Sequence, residues 1–244
     1  MNETPRIRKA VLVNRPNRFL GRVRLDGKVT EVFIPNPGRM LELMIPGNEV
    51  FLRENKATHR KTDFDMIGLE YNGVLVSIDS NLPNRFIKRL LITKQLEFFK
   101  DYDDVILEPR AFEGRFDFKL TGSEGSIFIE VKSCTLVEDS RAIFPDAPTA
   151  RGARHLRNLV DALKAKQVVR AAVIFVIQRP DVEVFSPNDE TDPKFGDALR
   201  FAHVNGVEIY PLVTKVVNWD LKLVGRVPYE LDYFTKGVND GHLP

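Results

Sequence analysis

The sequence predicts two domains, a small N-terminal β-barrel followed by an α/β domain with a mixed sheet, so that the chain is α+β overall. The first 80 or so residues are strand-like runs broken by turns, whereas the remainder alternates helical and strand patterns. A chain of 244 residues that is 43% hydrophobic can fill two cores. The turn-rich segment "DSNLPN" places the boundary near residue 82, which gives domains of residues 1–82 and 83–244.

The N-terminal runs are "KAVLVNRP", "RFLGRVRLDGKVTEVFIPNPG", "NEVFLREN" and "FDMIGLEYNGVLVSID". Asp26-Gly27 and Asn72-Gly73 each lie between apolar alternations, which is a strong hairpin signal. About five short strands, with only a turn at Met40–Met44 among them, favour an OB-type barrel. An SH3-like barrel or a plain meander fits the same pattern.

The second domain begins with a helical pattern over residues 83–104, where Phe86, Leu90 and Phe98 share a face. Thr149 is placed to cap a second helix. We expect the segment 138–150 to lack regular structure, either as a substrate-covering loop or as packed scaffold. The remaining elements follow in the order strands Val105–Ala111, Arg115–Leu120 and Ser126–Ser133, helix 149–166, strand 171–178, helix Pro193–His203 and strand 207–213.

The net charge of +2 gives no global field for nucleic acid, but residues 5–25 contain seven basic and no acidic residues. Such a stripe can bind a polyanion, or it can be an ordinary solvated face. The single cysteine, Cys134, excludes an intramolecular disulfide and a cysteine-rich metal cage. Because no signal-peptide core and no run of transmembrane length is present, we expect a cytoplasmic protein without a membrane partner.

Two carboxylates and a lysine interrupt apolar runs in "GRFDFKLTGSEGSIFIEVKSC" (114–134). If the two runs pair as a hairpin, Asp117 and Glu130 come close enough to hold one hard cation, with the Val131 carbonyl as a further ligand. Oxygen ligands favour Mg²⁺ (or Mn²⁺) over zinc. Lys132 projects from the same face as Glu130, where it can orient a water and offset charge on a reacting phosphate.

This D-x(n)-(D/E)-x-K layout on alternating helices and strands resembles the PD-(D/E)xK nuclease superfamily. The resemblance implies that Asp117, Glu130 and Lys132 are catalytic and that the two acids bind metal. Many members add a glutamate from the preceding helix, for which Glu97 is the first candidate and Glu108 the second. The alternative for Glu130 and Lys132 is a surface ion pair of little energetic value.

The second helix is basic in its first two turns, at Arg151, Arg154, His155 and Arg157. Together with free amide groups at the helix N-terminus, these side chains can bind phosphate, although a solvated face explains Arg157 equally well. Gln178 ends the buried strand and either approaches the site water or caps the sheet.

Several sequence blocks together resemble the sugar fermentation stimulation protein family. They cover nearly the whole chain and include "RFLGRV" (18–23), "PNPGRM" (35–40), "LPNRF" (82–86), "IEVKSCTL" (129–136), "FPDAPTARGARHL" (144–156) and "QRPD" (178–181). The resemblance implies an OB-like domain joined to a PD-(D/E)xK nuclease-like domain, and DNA binding without sequence specificity.

By the same resemblance, Arg151, Gly152 and His155 match the family's T-x-R-G-x-x-H-L block. The expected DNA-binding set is Arg18, Arg22, Arg39, Arg151, Arg154 and His155. Pro37 replaces a usual threonine, which weakens the assignment of the neighbouring Arg39.

Two functional hypotheses follow. The first is Mg²⁺-dependent hydrolysis of DNA phosphodiester bonds, and the second is a non-catalytic, sequence-nonspecific DNA-binding regulator of sugar-utilisation genes. RNA or a nucleotide-like ligand is a third possibility, and a homodimer is compatible with either hypothesis.

Overall fold

The N-terminal domain is a closed barrel. The computed structural model describes residues 6–55, 60–112 and 114–232. The barrel strands are β1 (Ile7–Asn17), β2 (Leu20–Leu25), β3 (Lys28–Phe33), β4 (Glu49–Glu54), β5 (Phe64–Tyr71) and β6 (Val74–Ser77). They pair in the order β3-β2-β1-β4-β5-β6, and a parallel contact between Phe33 and Asp65 closes β3 onto β5. The predicted OB-type barrel is therefore confirmed.

Both predicted hairpins are present. Asp26 and Asn72 each have φ of 50° and are followed by glycines that also have positive φ. Consecutive left-handed residues match the right-handed twist of the flanking strands, which is why Asn-Gly and Asp-Gly are favoured there. The turns set the register of β2 with β3 and of β5 with β6, and so direct alternate side chains into the barrel core.

The second domain is a six-stranded mixed sheet covered by helices on both faces. Its order is β17-β16-β14-β11-β10-β7, with β11, β14 and β16 parallel and the outer pairs antiparallel. One helix, α1, packs on one face, and α2 and α3 pack on the other. The elements are α1 (Leu82–Ile92), β7 (Asp104–Leu107), β8 (Arg110–Ala111), β9 (Gly114–Arg115), β10 (Phe118–Gly122), β11 (Gly125–Cys134), β12 (Val137–Glu138), β13 (Arg141–Phe144), α2 (Ala150–Lys164), β14 (Arg170–Ile177), β15 (Val184–Pro187), α3 (Pro193–Val204), β16 (Glu208–Val217) and β17 (Asp220–Arg226).

The first predicted helix, 83–104, is too long. It ends at Ile92, because Lys94 adopts a left-handed φ of 53° and the Gln95 N–H bonds to the Leu90 carbonyl. The apolar residues that extended the helical pattern instead form a short 3₁₀ turn, Glu97–Phe99, which packs its rings on Tyr210.

The structure differs from the sequence prediction at three further places. The strand predicted over Val105–Ala111 breaks at Glu108, which has φ of 47°. The segment 138–150 is not structureless, because β12 and β13 form a small sheet with β15. Strands β15 and β17 were not predicted; β17 has mostly exposed side chains and so lacks the apolar pattern of a buried strand.

The two domains pack directly on each other. Trp219, at the turn between β16 and β17, lies with its ring centroid 4.6 Å from that of Phe51 on β4. A Cβ at Gly68 would lie 2.5 Å from the Trp219 ring, so glycine is needed for this close approach. At a second contact, the Asp146 carboxylate accepts the Met40 N–H at 3.1 Å. These contacts fix the barrel against the sheet and form a junction beside α2.

No helix among the residues that the structure describes is long and apolar enough to cross a membrane.

Candidate active site

Strand β11 carries Glu130 and Lys132 on one face, while Val131 between them packs into the core under α1. Asp117 lies in a bend between β9 and β10 rather than within a strand as predicted. Because Phe118 on β10 pairs with Ile129 on β11, continuing that register places Asp117 opposite Glu130. The hairpin therefore brings the two acids together.

Glu130 is buried, with 4% of its surface exposed, and its two oxygens have different surroundings. Its Oε1 lies 2.6 Å from Lys132 Nζ and 2.5 Å from His155 Nδ1. Arg151 Nε donates to His155 Nε2 at 3.3 Å, so Nδ1 is the nitrogen that donates to Glu130. Its Oε2 is buried and has no hydrogen-bond partner among the described residues. One oxygen is thus fully held and the other is open to a ligand.

Asp117 is held by two donors. Its Oδ1 accepts from Asn84 Nδ2 at 2.6 Å, and its Oδ2 accepts the Val131 N–H at 2.7 Å. Asn84 lies in the first turn of α1, so this helix reaches the site through an amide rather than a carboxylate. Because the N–H and C=O of one strand residue point to the same side, the Val131 carbonyl faces the edge where Asp117 lies.

The two carboxylates differ in their electrostatics. Burial and, second to it, the nearby negative charge of Glu130 raise the pKa of Asp117 to about 6. The hydrogen bonds from Val131 and Asn84 act in the opposite direction and lower it. Burial also acts against the charge of Glu130, but Lys132 and His155 outweigh it and lower the pKa of Glu130. Glu130 is therefore the firmly ionised partner, and Asp117 is the more easily protonated of the two acids.

A cavity of about 490 Å³ opens beside Asp117 toward the N-terminal end of α2. Glu108, the second candidate for a further acid, lines this cavity, but its side chain is 69% exposed and pairs with Arg115 at 2.9 Å. Arg154 forms no ion pair with any described residue. The cavity is lined by Glu108, Gly114, Arg115, Phe116, Asp117, Arg151, Arg154 and His155. Acidic and basic side chains thus line the same cavity, an arrangement that suits a metal ion and a phosphate.

Glu97 is not brought to this cluster. Its side chain is 81% exposed and pairs with Lys100 at 2.9 Å. The carbonyl of Phe98, the residue after Glu97, accepts a hydrogen bond from the Arg170 side chain. Because Arg170 on β14 pairs with Ile127 on β11, Glu97 lies toward the beginning of β11 and not beside Glu130. The 3₁₀ turn that replaced the end of the predicted helix is the reason.

Gln178 is also away from the acids. Glu130 pairs with Val173 on β14, and Gln178 follows five positions later, roughly 16 Å along the strand direction. Its Nε2 donates to Ser133 Oγ at 2.9 Å, and its N–H donates to the Cys134 carbonyl at 2.9 Å. These bonds tie the ends of β11 and β14 together, which agrees with the capping alternative.

The basic stripe on the barrel is partly neutralised. Arg22 pairs with Glu31 at 3.1 Å, and Arg8 and Lys9 also have acidic partners. Arg18 and Arg39, in contrast, form no ion pair with any residue that the structure describes, and they line a cavity of about 620 Å³ at the domain junction.

Sequence reasoning missed Asn84, and it proposed His155 for phosphate binding, or as a structural residue, without its hydrogen bond to Glu130. Asn84 lies in the sequence block "LPNRF", and its position at the start of a helix is the feature of the sequence that could have identified it. Within the described ranges, no three histidine, cysteine, aspartate or glutamate side chains are grouped so that they could hold a metal ion.

The chain is similar to known proteins over both domains. Residues 13–78 match the family model described as the SfsA N-terminal OB domain, and residues 81–219 match that described as the sugar fermentation stimulation protein RE domain. A sugar fermentation stimulation protein homolog from Clostridium perfringens is 41% identical over 222 residues, covering 91% of this chain and 96% of the homolog. A homolog from Desulforamulus reducens is 42% identical over 227 residues, covering 93% and 94%.

The fold is also similar to a solved structure of Pyrococcus furiosus SfsA in complex with Ca²⁺. The TM-score is 0.84 at 30% sequence identity, and the similarity covers 94% of this chain and 99% of that chain.

Proposed function

The chain belongs to the sugar fermentation stimulation protein family, and from this premise we propose that it binds DNA and hydrolyses phosphodiester bonds with Mg²⁺ or Mn²⁺ at Asp117, Glu130 and Lys132. The observation that carries the proposal is the state of Glu130. It is a buried, ionised carboxylate with Oε1 held by two donors and Oε2 without a hydrogen-bond partner in the described part of the chain. A buried acceptor of this kind is costly unless a ligand satisfies it.

The residues present fit a hard divalent cation. Glu130 Oε2 and an Asp117 oxygen would bind it with the Val131 carbonyl, and waters would complete the shell, as Mg²⁺ usually requires. Burial and, second to it, repulsion from Glu130 raise the pKa of Asp117, and a cation between the two acids relieves that repulsion. The Ca²⁺ complex of the Pyrococcus furiosus relative supports a divalent site in this family. When bound, the metal supplies Lewis-acid polarisation of a phosphate oxygen.

The chain's own groups position the other reactants. The Lys132 side chain is 12% exposed, so it lies at the border between the buried carboxylates and solvent. There it can orient an attacking water and offset charge that develops on the phosphate. Arg154 and Arg151, on the far side of the 490 Å³ cavity, are placed to bind the DNA backbone. Such contacts read no bases, which accounts for binding without sequence specificity.

A second candidate function is a DNA-binding regulator without turnover. The hydrogen bonding of Asp117 favours this candidate, because both of its oxygens already accept hydrogen bonds. In addition, neither Glu97 nor Glu108 places a third carboxylate next to Glu130. This candidate keeps the same basic surfaces and the same lack of base readout. The expected homodimer stays a prediction under either candidate.

One experiment separates the two candidates. Purified wild-type protein, Lys132→Met and Glu130→Gln are incubated with single- and double-stranded DNA, with Mg²⁺, Mn²⁺ or EDTA. Lys222→Met, which changes an exposed lysine on the outer strand β17, is the matched control. We expect metal-dependent cleavage that Lys222→Met retains and the two site variants lose by about 100-fold or more. Salt-sensitive binding with no cleavage by any of the proteins would refute the nuclease and support the regulator.

A further inference from the structure

The outer surface of the barrel carries an aromatic ring that the active-site chemistry does not use. Phe19, at the turn between β1 and β2, is 46% exposed. Its ring is nearly parallel to that of Phe33, at an interplanar angle of 12° and a centroid separation of 6.3 Å. The Arg60 guanidinium lies 5.0 Å from the centroid of the Phe33 ring. A single exposed phenylalanine is common on proteins, but a pair of parallel rings next to a cation is a more specific arrangement.

The backbone holds Phe19 in this position. Its N–H donates to Asn17 Oδ1 at 2.9 Å, and its carbonyl accepts the Ile34 N–H at 2.9 Å. The carbonyl of the preceding residue, Arg18, accepts from the half-buried guanidinium of Arg15 at 2.8 Å. Arg15 also donates to the carbonyls of residues 36, 38 and 39, so it acts as a structural anchor and not as a free cation. The exposed ring is therefore presented by a rigid turn, which lowers the entropy lost on binding.

The position of the aromatic pair within the barrel is informative. Phe19 lies on the loop between the first and second strands, Phe33 ends the third strand, and Arg60 lies on the loop between the fourth and fifth. In OB-type barrels these loops and the face of strands two and three bind oligonucleotides. On that face, Arg22 lies two positions from Leu20, the residue that pairs with Phe33. Arg22 and Arg60 are each paired with an acid, Glu31 and Asp65, so the rings and not free cations distinguish this face. Such rings suit bases with exposed faces, which a duplex buries in its own stack.

Arg18, the basic residue immediately before Phe19 in the sequence, links this platform to the active site. Arg18 lines both junction cavities, of about 620 and 280 Å³, together with Gly38 and Pro148. Thr149 lines the smaller cavity and caps α2, whose Arg151 and Arg154 line the cavity beside Asp117. Spaces of this size accept one nucleotide and not an intact duplex. Arg18 thus lines the cavities at the cap of α2, and Arg151 and Arg154 on the same helix line the cavity beside the carboxylates.

We propose that Phe19, supported by Phe33, is a stacking platform for unpaired bases, and that single-stranded DNA is the form of DNA that the barrel binds and guides past Arg18 to the site. This inference rests on the proposed function, because it names the substrate class of the same DNA-binding surface. It adds a residue that neither the basic stripe nor the acidic cluster identified.

The test measures fluorescence anisotropy in EDTA, so that cleavage cannot interfere. The probes are a labelled thymidine oligonucleotide of about 20 nucleotides, long enough for an OB-type site, the same length of abasic backbone, and a blunt duplex. Phe19→Ala is compared with Phe201→Ala, a control that removes a phenylalanine of equal exposure (45%) from α3. Phe19→Trp keeps an aromatic face at the same turn.

We expect Phe19→Ala to weaken binding of the thymidine oligonucleotide by about 5- to 150-fold, the loss typical of one base–aromatic stack. Its binding of the abasic backbone and the duplex should change by less than about twofold, and Phe19→Trp and Phe201→Ala should bind like wild type. Equal losses on the oligonucleotide and the abasic backbone, or no loss on either, would overturn the stacking platform.

The same data distinguish this inference from the function on which it rests. If wild-type protein binds none of the three probes even at low salt, the proposed DNA-binding function itself is wrong, and the stacking inference falls with it. If wild type binds the duplex and the abasic backbone as tightly as the oligonucleotide, DNA binding stands, but the stacking platform and the single-strand preference are both refuted.

Discussion

His155 Nδ1 and Glu130 Oε1 lie 2.5 Å apart, although 25 positions of sequence separate them. The contact joins the N-terminal half of α2 to the middle of β11 and, with Lys132, supplies both donors to one oxygen of a buried carboxylate. The second oxygen is left without a hydrogen-bond partner among the described residues. A residue that the sequence suggested for phosphate binding thus also fixes the orientation of the principal acid.

Replacing His155 with phenylalanine should therefore destabilise the protein. The ring volume is kept next to Phe116, but a buried charged acceptor loses one of its two donors. We expect a decrease in the free energy of unfolding of about 1 to 3 kcal/mol, measured by urea denaturation in EDTA. His203→Asn changes an exposed histidine on α3 and should stay within about 0.5 kcal/mol of wild type. Equal effects of the two substitutions would contradict this role for His155.

The raised pKa of Asp117 makes folding stability depend on pH. Because the folded-state pKa, about 6, lies above the ordinary value of 3.8, the folded protein favours the protonated acid. The stability contributed by this group is fully present below pH 3.8 and is lost as the pH rises through 6. The difference between these two pKa values corresponds to about 3 kcal/mol over the whole titration.

Asp117→Asn removes this titration while leaving an oxygen to accept the Val131 N–H. Relative to wild type in EDTA, the variant should gain about 2 kcal/mol of stability between pH 4 and pH 7. The comparison is made by urea denaturation across that range, so that titrations shared by both proteins cancel. A stability difference that does not change with pH would show that Asp117 ionises normally.

The agreement between sequence and structure depended on how local each signal was. The hairpins at Asp26 and Asn72 are set by two adjacent residues, and the pairing of Asp117 with Glu130 requires one short hairpin, so both follow from nearby sequence. The alternation along β11 likewise predicts that Glu130 and Lys132 share a face.

The features that were missed depend on distant packing. The apolar residues Phe98 and Phe99 extended a helical pattern, but their rings pack on Tyr210, more than 100 positions away, and the chain leaves the helix to reach it. Asn84 similarly becomes part of the site only because α1 packs with its first turn against the bend at Asp117. Helical periodicity carries no information about either contact.

The domain interface should respond to the loss of Trp219. Its ring fills the space above Gly68 and contacts Phe51, so Trp219→Ala leaves a gap between the barrel and the sheet. The side chain is only partly buried, and we expect a loss of about 2 to 3 kcal/mol, near the low end for tryptophan truncation. Differential scanning calorimetry should show a lower melting temperature, with the two domains beginning to unfold separately.

Val224→Ala is the control for this substitution, because it removes an apolar side chain that is 54% exposed on the neighbouring β17. It should leave the melting temperature almost unchanged. If Trp219→Ala melted in the same single transition at the wild-type temperature, the packing of Trp219 would not be what couples the domains.

The basic end of α2 can be tested through the salt dependence of DNA binding. Arg154 lines the cavity beside Asp117, whereas Arg157, three positions later on the same helix, does not. Each phosphate contact releases counterions, so removing one lowers the slope of log K against log salt by about 0.7 for single strands and 0.9 for duplex. Arg154→Gln should show that decrease and Arg157→Gln should not, when binding is measured by anisotropy from low to moderate salt. If the slope decreased equally in both variants, the whole helix face would attract DNA diffusely, without a phosphate bound in the cavity. If the slope decreased only in Arg154→Gln, a backbone phosphate would lie next to the carboxylates.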